Sequence, residues 1–318
     1  MLRPSPCTEW LQSMTRTDGQ LAMLFPGQGS QTADMLDQVQ AQRPDLLELA
    51  RSEVSDDLFE RAADGTRWAQ PAIFCAALAG YEVLKDRYDA DLMAGHSLGE
   101  ITALVAADAI DAPDGLRLVA ARGRLMQDSQ GGGMLAVRVR EGRAPVEEVA
   151  AMTGLTIAND NAPDQLVLSG ALDALDRAEE LLRERKVRAK RLPVAGAFHS
   201  PLMEPAVAPF RELVELIDFR EPRVPVFSCV TAAPFEDVRE QLVAALTHPV
   251  RWTEVMSALR DAGATTYVET GPGRVLTNLV RKSLDRGRQL CDGATHWRPP
   301  SRAARRPAPR RATCARGW

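Results

Sequence analysis

The segment DLMAGHSLGEITALVAADAI, residues 91–110, most constrains the fold. DLMAGHS reads as strand to turn, and LGEITALVAADAI (98–110) reads as a helix that starts immediately after Ser97. Between them lies Gly95-His96-Ser97-Leu98-Gly99, a G-x-S-x-G pattern. Strand, tight turn and helix in direct succession raise the serine on an exposed corner. The competing reading is a glycine-rich turn that happens to carry a serine. Either way, strand feeds helix, which is the mark of an α/β chain.

Other segments repeat that grammar. LAMLFPGQGSQ (21–31) reads as a short buried strand ending in a Pro-Gly turn. Residues 31–63 read as mainly helical, and 70–88 and 112–129 as helices. Composition changes at GGGM (131–134), a flexible joint. Beyond it the order is strand (134–139), helix (145–154), two strands with a polar turn (155–170), amphipathic helix (171–186) and strand (188–194). That β-α-β-β-α-β order in about 60 residues is the ferredoxin-like arrangement, present as an insert. The chain then resumes with a helix (201–217), a buried strand (224–230) and helices near 235–246 and 252–262. A strand, a Gly-Pro-Gly turn and a helix follow in 265–284. The expected fold is α/β: a discontinuous α/β-hydrolase-like large subdomain with a parallel sheet, plus an inserted ferredoxin-like small subdomain. The expected division is an N-terminal extension (1–19), the large catalytic subdomain (20–132 and 199–285), the small subdomain (133–198) and a basic tail (286–318).

Composition narrows the function classes. The chain is 45% hydrophobic and 26% charged, an ordinary globular balance. It has no apolar run of the roughly 18 residues that a membrane span needs. Its first residues lack an apolar core of the secretory kind, so a cytoplasmic setting is expected. The five cysteines are scattered without C-x-x-C spacing, which argues against a structural zinc and a disulfide framework. The net charge of −4 hides an asymmetry: residues 286–318 hold nine Arg and one Asp, a local +8 that leaves −12 for the rest. That Pro-, Ala- and Arg-rich end has no hydrophobic period and is expected to be unstructured, without a nucleic-acid role.

A serine hydroxyl is a poor nucleophile at neutral pH and needs a base and an oxyanion site. The Leu98 backbone N–H, at a helix start, is the natural oxyanion donor. The glycine turn FPGQGSQ can offer a second, the N–H of Gln28. There are four histidines to supply a base. His96 adjoins the serine, and neighbouring side chains on such a turn diverge, so it supports the turn or lines the cleft. His248 precedes Pro249 and reads as a surface or capping group; His296 lies in the tail. His199, in VAGAFHSPLME, sits at the junction of insert and main body, where a cleft is expected. It is the candidate base.

FPGQGSQ, GHSLGE, Ala-Arg-Gly at 121–123, NAPDQLVLSG, AFHSPLM, PVRWTE and ETGPGRVL occur in this order. In this the chain resembles the malonyl-CoA:acyl carrier protein transacylases, and the related acyltransferase domains of polyketide and fatty acid synthases, over roughly residues 21–285. The resemblance implies a Ser97–His199 dyad. Its imidazole would be oriented by a main-chain carbonyl near Ala245, where many relatives carry Gln. It implies Arg122 as the fork that holds the malonyl carboxylate, although Arg124 looks similar from sequence. Gln28, Gln70, Asn161 and Gln165 would line the cleft. Phe198 would disfavour an α-methyl group, a discrimination of about 1–3 kcal/mol. Glu100 would cap or pair near the helix start. The implied reaction is ping-pong transfer of malonyl from malonyl-CoA to the phosphopantetheine thiol of acyl carrier protein, for fatty acid synthesis. It needs no metal or bound cofactor. The chain would act as a monomer and meet the acidic carrier through Arg183, Arg185, Lys186, Arg188, Lys190 and Arg191, a set that can equally be a solvated face. A malonate decarboxylase subunit, a trans-acting polyketide acyltransferase, a serine hydrolase and a non-catalytic binding protein are the alternatives.

Overall fold

The computed structural model describes residues 19–129, 131–140 and 142–283, and the backbone of 289–291. His296 and most of the expected N-terminal extension and basic tail lie outside the described residues.

β1 (Gln20–Phe25) enters the core at once, with Ala22 to Phe25 all buried. α1 (Met35–Gln42) and α2 (Pro44–Glu53) follow, then α3 (Thr66–Leu84). Proline usually marks a first turn, yet α3 runs back through Pro71 to Thr66, four residues earlier than the sequence pattern begins. Burial explains it: Thr66, Ala69 and Gln70 continue the apolar helix face inward. β2 (Leu92–Gly95), α4 (Gly99–Ala106) and α5 (Ala112–Asp128) complete this half.

The middle of the chain forms β3 (Gly133–Arg138), α6 (Ala144–Thr153), β4 (Thr156–Ala162), β5 (Gln165–Gly170), α7 (Leu172–Glu184) and β6 (Arg188–Arg191). The sheet is antiparallel in the order β4-β5-β3-β6, the ferredoxin-like arrangement. Leu135, Val137, Leu166 and Leu168 pack under α6 and α7, while Met134 and Val167, on the other face, join the main core. The insert therefore rests on the larger body.

The chain returns through a short 3-10 turn and α8 (Glu204–Glu215), then β7 (Val226–Phe227), α9 (Val238–Ala244), α10 (Trp252–Asp261), β8 (Ala264–Glu269) and α11 (Val275–Ser283). β7 is much shorter than the apolar run 224–230 suggests. A turn closed by Ala232 N–H on Ser228 O and Ser228 N–H on Ala233 O draws the chain off the sheet. The parallel sheet runs β7-β2-β1-β8-β9, with β9 (Gln289–Cys291) on its outer edge. β9 corrects the expectation of an unstructured segment from 286 onward: β8 leaves an open edge, and residues 289–291 pair with Thr266 to Val268. The alternation of β1 sorts two cores, with Met23 and Phe25 facing α3 and α4 and Ala22 and Leu24 facing Trp252 and Tyr267.

Two seams fix the insert to the larger body. Gly131 bridges Gly196 where the chain leaves and re-enters. Val250 lies along β4, accepting Asp160 N–H and donating to Ala158 O, each at 2.9 Å. Among the described residues, no helix is long and apolar enough to cross a membrane.

Candidate active site

The turn between β2 and α4 is sharp because two glycines allow it. A Cβ on Gly95 would fall 1.9 Å from the Gly99 carbonyl carbon, and one on Gly99 would fall 2.2 Å from Phe25 O. Ser97 itself takes a left-handed conformation, φ 56°. Such backbone strain is of order 1–3 kcal/mol and persists only where neighbours over-determine it. Gly99→Ala should therefore destabilise the protein by about 1–3 kcal/mol through overpacking. A urea midpoint unchanged from the parent would contradict this.

Ser97 Oγ lies 2.8 Å from His199 Nε2. His199 also has positive φ, 59°, and its Nδ1 lies 2.8 Å from the Ala245 carbonyl oxygen. A carbonyl can only accept, so Nδ1 carries the proton and Nε2 is free to accept from the serine. That carbonyl is available because α9 ends there, and the last carbonyls of a helix have no partner within it. Ala244 O takes Thr247 and His248 N–H, which leaves Ala245 O for His199. Burial, followed by the charges of Arg122 and His96, pushes the His199 imidazole down to about 3. At neutral pH the imidazole is therefore uncharged and able to accept a proton.

Arg122 projects from α5 and is only 3% exposed. One guanidinium nitrogen donates to Gln70 Oε1 at 2.8 Å and the other to Ser97 Oγ at 3.1 Å. Burial draws its pKa down to about 10, so it stays cationic at neutrality. Arg124, two residues on, is exposed, which separates two arginines that the sequence leaves alike. Gln70 Nε2 donates to Thr66 Oγ1 at 2.9 Å, and Thr66 Oγ1 donates to Gln28 Oε1 at 2.7 Å. A continuous polar chain thus runs from the β1 turn through α3 to Arg122 and Ser97. Thr66 was missed in the sequence; its one signal is the i,i+4 spacing to Gln70 on a helix.

The turn after β1 approaches the serine because Gly27 lies against the His96 carbonyl, where a Cβ would be 2.4 Å from the oxygen. Among the described residues, neither the Gln28 nor the Leu98 backbone N–H donates to a protein acceptor. Both are free for an oxyanion. His96 turns away from Ser97: its Nε2 meets Asn161 Oδ1 at 2.8 Å and its ring lies 5.3 Å from Trp252. Phe198 is buried, with its ring against Gly196. Gln165 Oε1 accepts Lys282 Nζ at 3.0 Å, and among the described residues its side chain has no hydrogen bond to Ser97, His199 or Arg122. His248 caps α9 through Ala244 O at 2.9 Å. Of the basic set, Arg183, Lys186, Arg188 and Lys190 are exposed, Arg185 donates to Leu181 O, and Arg191 is held by Asp176 and Glu179.

The site can thus deprotonate a serine, stabilise an oxyanion and hold an anionic group close by. The family model described as acyl transferase domain matches residues 22–306. The polyketide biosynthesis protein ThaF of Burkholderia thailandensis is 38% identical over 278 residues, 83% of this chain but 24% of that protein, so the chain spans about a quarter of it. The malonyl CoA-acyl carrier protein transacylase of Bacillus subtilis is 36% identical over 284 residues, 82% of this chain and 90% of the relative. A solved structure of malonyl-CoA:acyl carrier protein transacylase from Xanthomonas oryzae pv. oryzae superposes with TM-score 0.79 at 35% identity, covering 86% of this chain and 94% of that one.

Proposed function

The chain belongs to the acyl transferase domain family, and from that premise we propose that it carries malonyl from malonyl-CoA to the phosphopantetheine thiol of an acyl carrier protein, through an ester on Ser97. One observation carries the choice of acyl group: a buried guanidinium 3.1 Å from the serine oxygen. A cation there wants a counter-anion from the substrate. A malonyl group offers a carboxylate two bonds from its thioester carbonyl, and a guanidinium fork matches it.

In this reading His199 Nε2 takes the Ser97 proton as Oγ attacks the thioester carbonyl. The oxyanion is met by the Leu98 and Gln28 N–H groups. Collapse breaks the carbon–sulfur bond, and His199 returns the proton to the departing CoA thiolate. The carrier thiol then gives its proton to His199 and attacks the seryl ester, and Ser97 leaves with the proton. No oxidation state changes, so the chain's own groups suffice. Arg122 holds the charged end throughout, which keeps the acyl group oriented for a thiol. Gln70, Asn161 and Phe198 shape the cleft, and Phe198 favours malonyl over a branched homologue. Residues 20–132 and 199–285 act as the catalytic subdomain, and 133–198 as the smaller one. The exposed Arg183, Lys186, Arg188 and Lys190 offer a face to an acidic carrier. Fatty acid synthesis in the cytoplasm is the proposed setting.

Intact-mass spectrometry tests this. Malonyl-CoA should add one malonyl group to the parent and none to Ser97→Ala, and holo carrier protein should remove it. An adduct that decays to free malonate at the same rate with and without carrier would mean a hydrolase instead.

A further inference from the structure

Beneath the serine, a second set of contacts joins elements that lie far apart in sequence. Glu100, in the first turn of α4, is 1% exposed, and its Oε1 accepts the Cys229 N–H at 2.7 Å. The Ser228 hydroxyl bonds the same carboxyl. Cys229 Sγ donates to the Gly95 carbonyl at 3.1 Å, and the Ser97 backbone N–H bonds that sulfur. One buried residue thus touches the turn before the serine, at the serine and after it. The placement follows from the sheet. β7 pairs with β2 only as far as Phe227 and Ala94. Beyond that point the two chains diverge, and the Cys229 and Glu100 side chains span the gap the ladder leaves.

We propose that Glu100 is a positioning residue for Ser97, holding the nucleophile's left-handed backbone in place through Cys229. The inference rests on Ser97 being the nucleophile. Within the turn itself, Ser97 is tied only by its carbonyl, which accepts Glu100 N–H at 3.1 Å. Its N–H and the preceding Gly95 carbonyl are both fixed by Cys229, so the conformation of Ser97 depends on where Cys229 sits. Cys229 is in turn located by its N–H on Glu100. A buried N–H must have an acceptor, and no apolar side chain can replace that oxygen. Burial raises the Glu100 carboxyl to about 7, against the pull of Cys229 N–H, Arg122 and Ser228. Acid and carboxylate forms both keep an acceptor oxygen, and so does an amide. The geometry asks for the oxygen, not the charge.

The test is the rate at which a fluorophosphonate labels Ser97 in the full-length protein, followed by intact mass, with Ser97→Ala as the blank. Glu100→Leu should label about 10- to 100-fold more slowly, the penalty for misplacing a reacting atom. Glu100→Gln should restore the rate to within about threefold of the parent, since it returns the acceptor. With malonyl-CoA the loss in Glu100→Leu should fall on kcat and spare KM; a merely structural role would lower Tm and leave the rate per folded molecule unchanged. A folded Glu100→Leu that labels at the parent rate, or a Glu100→Gln as slow as Glu100→Leu, overturns the proposal. Should Glu100→Leu not fold, Glu100→Asp, one methylene short of Cys229, is held to the same criterion. The probe needs no thioester. Failure to accept malonyl therefore defeats the transferase reading alone, and unchanged labelling defeats the brace alone.

Discussion

Replacing His199 with alanine should slow acylation of Ser97 by about 10²- to 10⁴-fold, the range a positioned general base supplies. Among the described residues, the serine hydroxyl has one base in reach, at 2.8 Å, and the orienting carbonyl of Ala245 fixes which ring nitrogen faces it. The pH profile carries the same argument further. Burial first, and then Arg122 and His96, hold the imidazole down at about 3. Protonation removes the base, so activity is lost as pH falls through that pKa. The acid limb of kcat/KM, which reports the free enzyme, should therefore lie far below the 6.5 of an ordinary histidine. A malonyl carboxylate on Arg122 neutralises one of the depressing charges, so the pKa rises in the complex. The acid limb of kcat, which reports the bound enzyme, should sit at higher pH than that of kcat/KM. The reverse order, measured from pH 4 to 8 with malonyl-CoA, would sink this account. Glu100, whose carboxyl burial raises to about 7, keeps an acceptor oxygen in both forms, so its titration should leave no limb of its own near 7.

The local features of this fold were legible because they are written in contiguous residues. DLMAGHSLGE carries its strand, its two glycines and its helix start within ten positions, and the structure forms β2, the turn and α4 there. The β-α-β-β-α-β order likewise fixes its own sheet, since consecutive segments bury one face against two helices. What escaped was set by partners distant in the chain. Helix α3 passes through Pro71 because its buried face continues, which proline rules alone do not reveal. β9 exists because β8 had an open edge, and composition read that stretch as tail. Gln165 is claimed by Lys282, 117 residues away. Cys229 carries no motif, and its place against Gly95 and Ser97 follows only from β7 lying beside β2. The pairing of Ser97 with His199 was approached by elimination among four histidines, whereas the choice between Arg122 and Arg124 needed burial, which a sequence does not print.

Arg122→Ala should reduce kcat/KM for malonyl-CoA about 30-fold or more, the equivalent of about 2–5 kcal/mol, because it leaves a carboxylate without its cation in a desolvated site. Acetyl-CoA should behave in the opposite way. An acetyl group brings no anion, so in the parent it must approach a buried, uncompensated charge; without Arg122 its kcat/KM should hold or rise. Arg122→Lys should fall between the two for malonyl, since an ammonium is a point charge and cannot serve Gln70 and a carboxylate with one planar fork. The comparison must be made where the base is in one state. Arg122 lowers the His199 pKa, so its removal raises that pKa and leaves less neutral imidazole at a given acidic pH. At pH 8 the imidazole is neutral in both proteins, and the malonyl-to-acetyl ratio then reports on the substrate alone. If Arg122→Ala lowers both substrates equally at that pH, the guanidinium acts on Ser97, whose oxygen it meets at 3.1 Å. Acyl selectivity would then have to come from elsewhere in the cleft. A ratio that collapses while acetyl transfer survives assigns the carboxylate to Arg122.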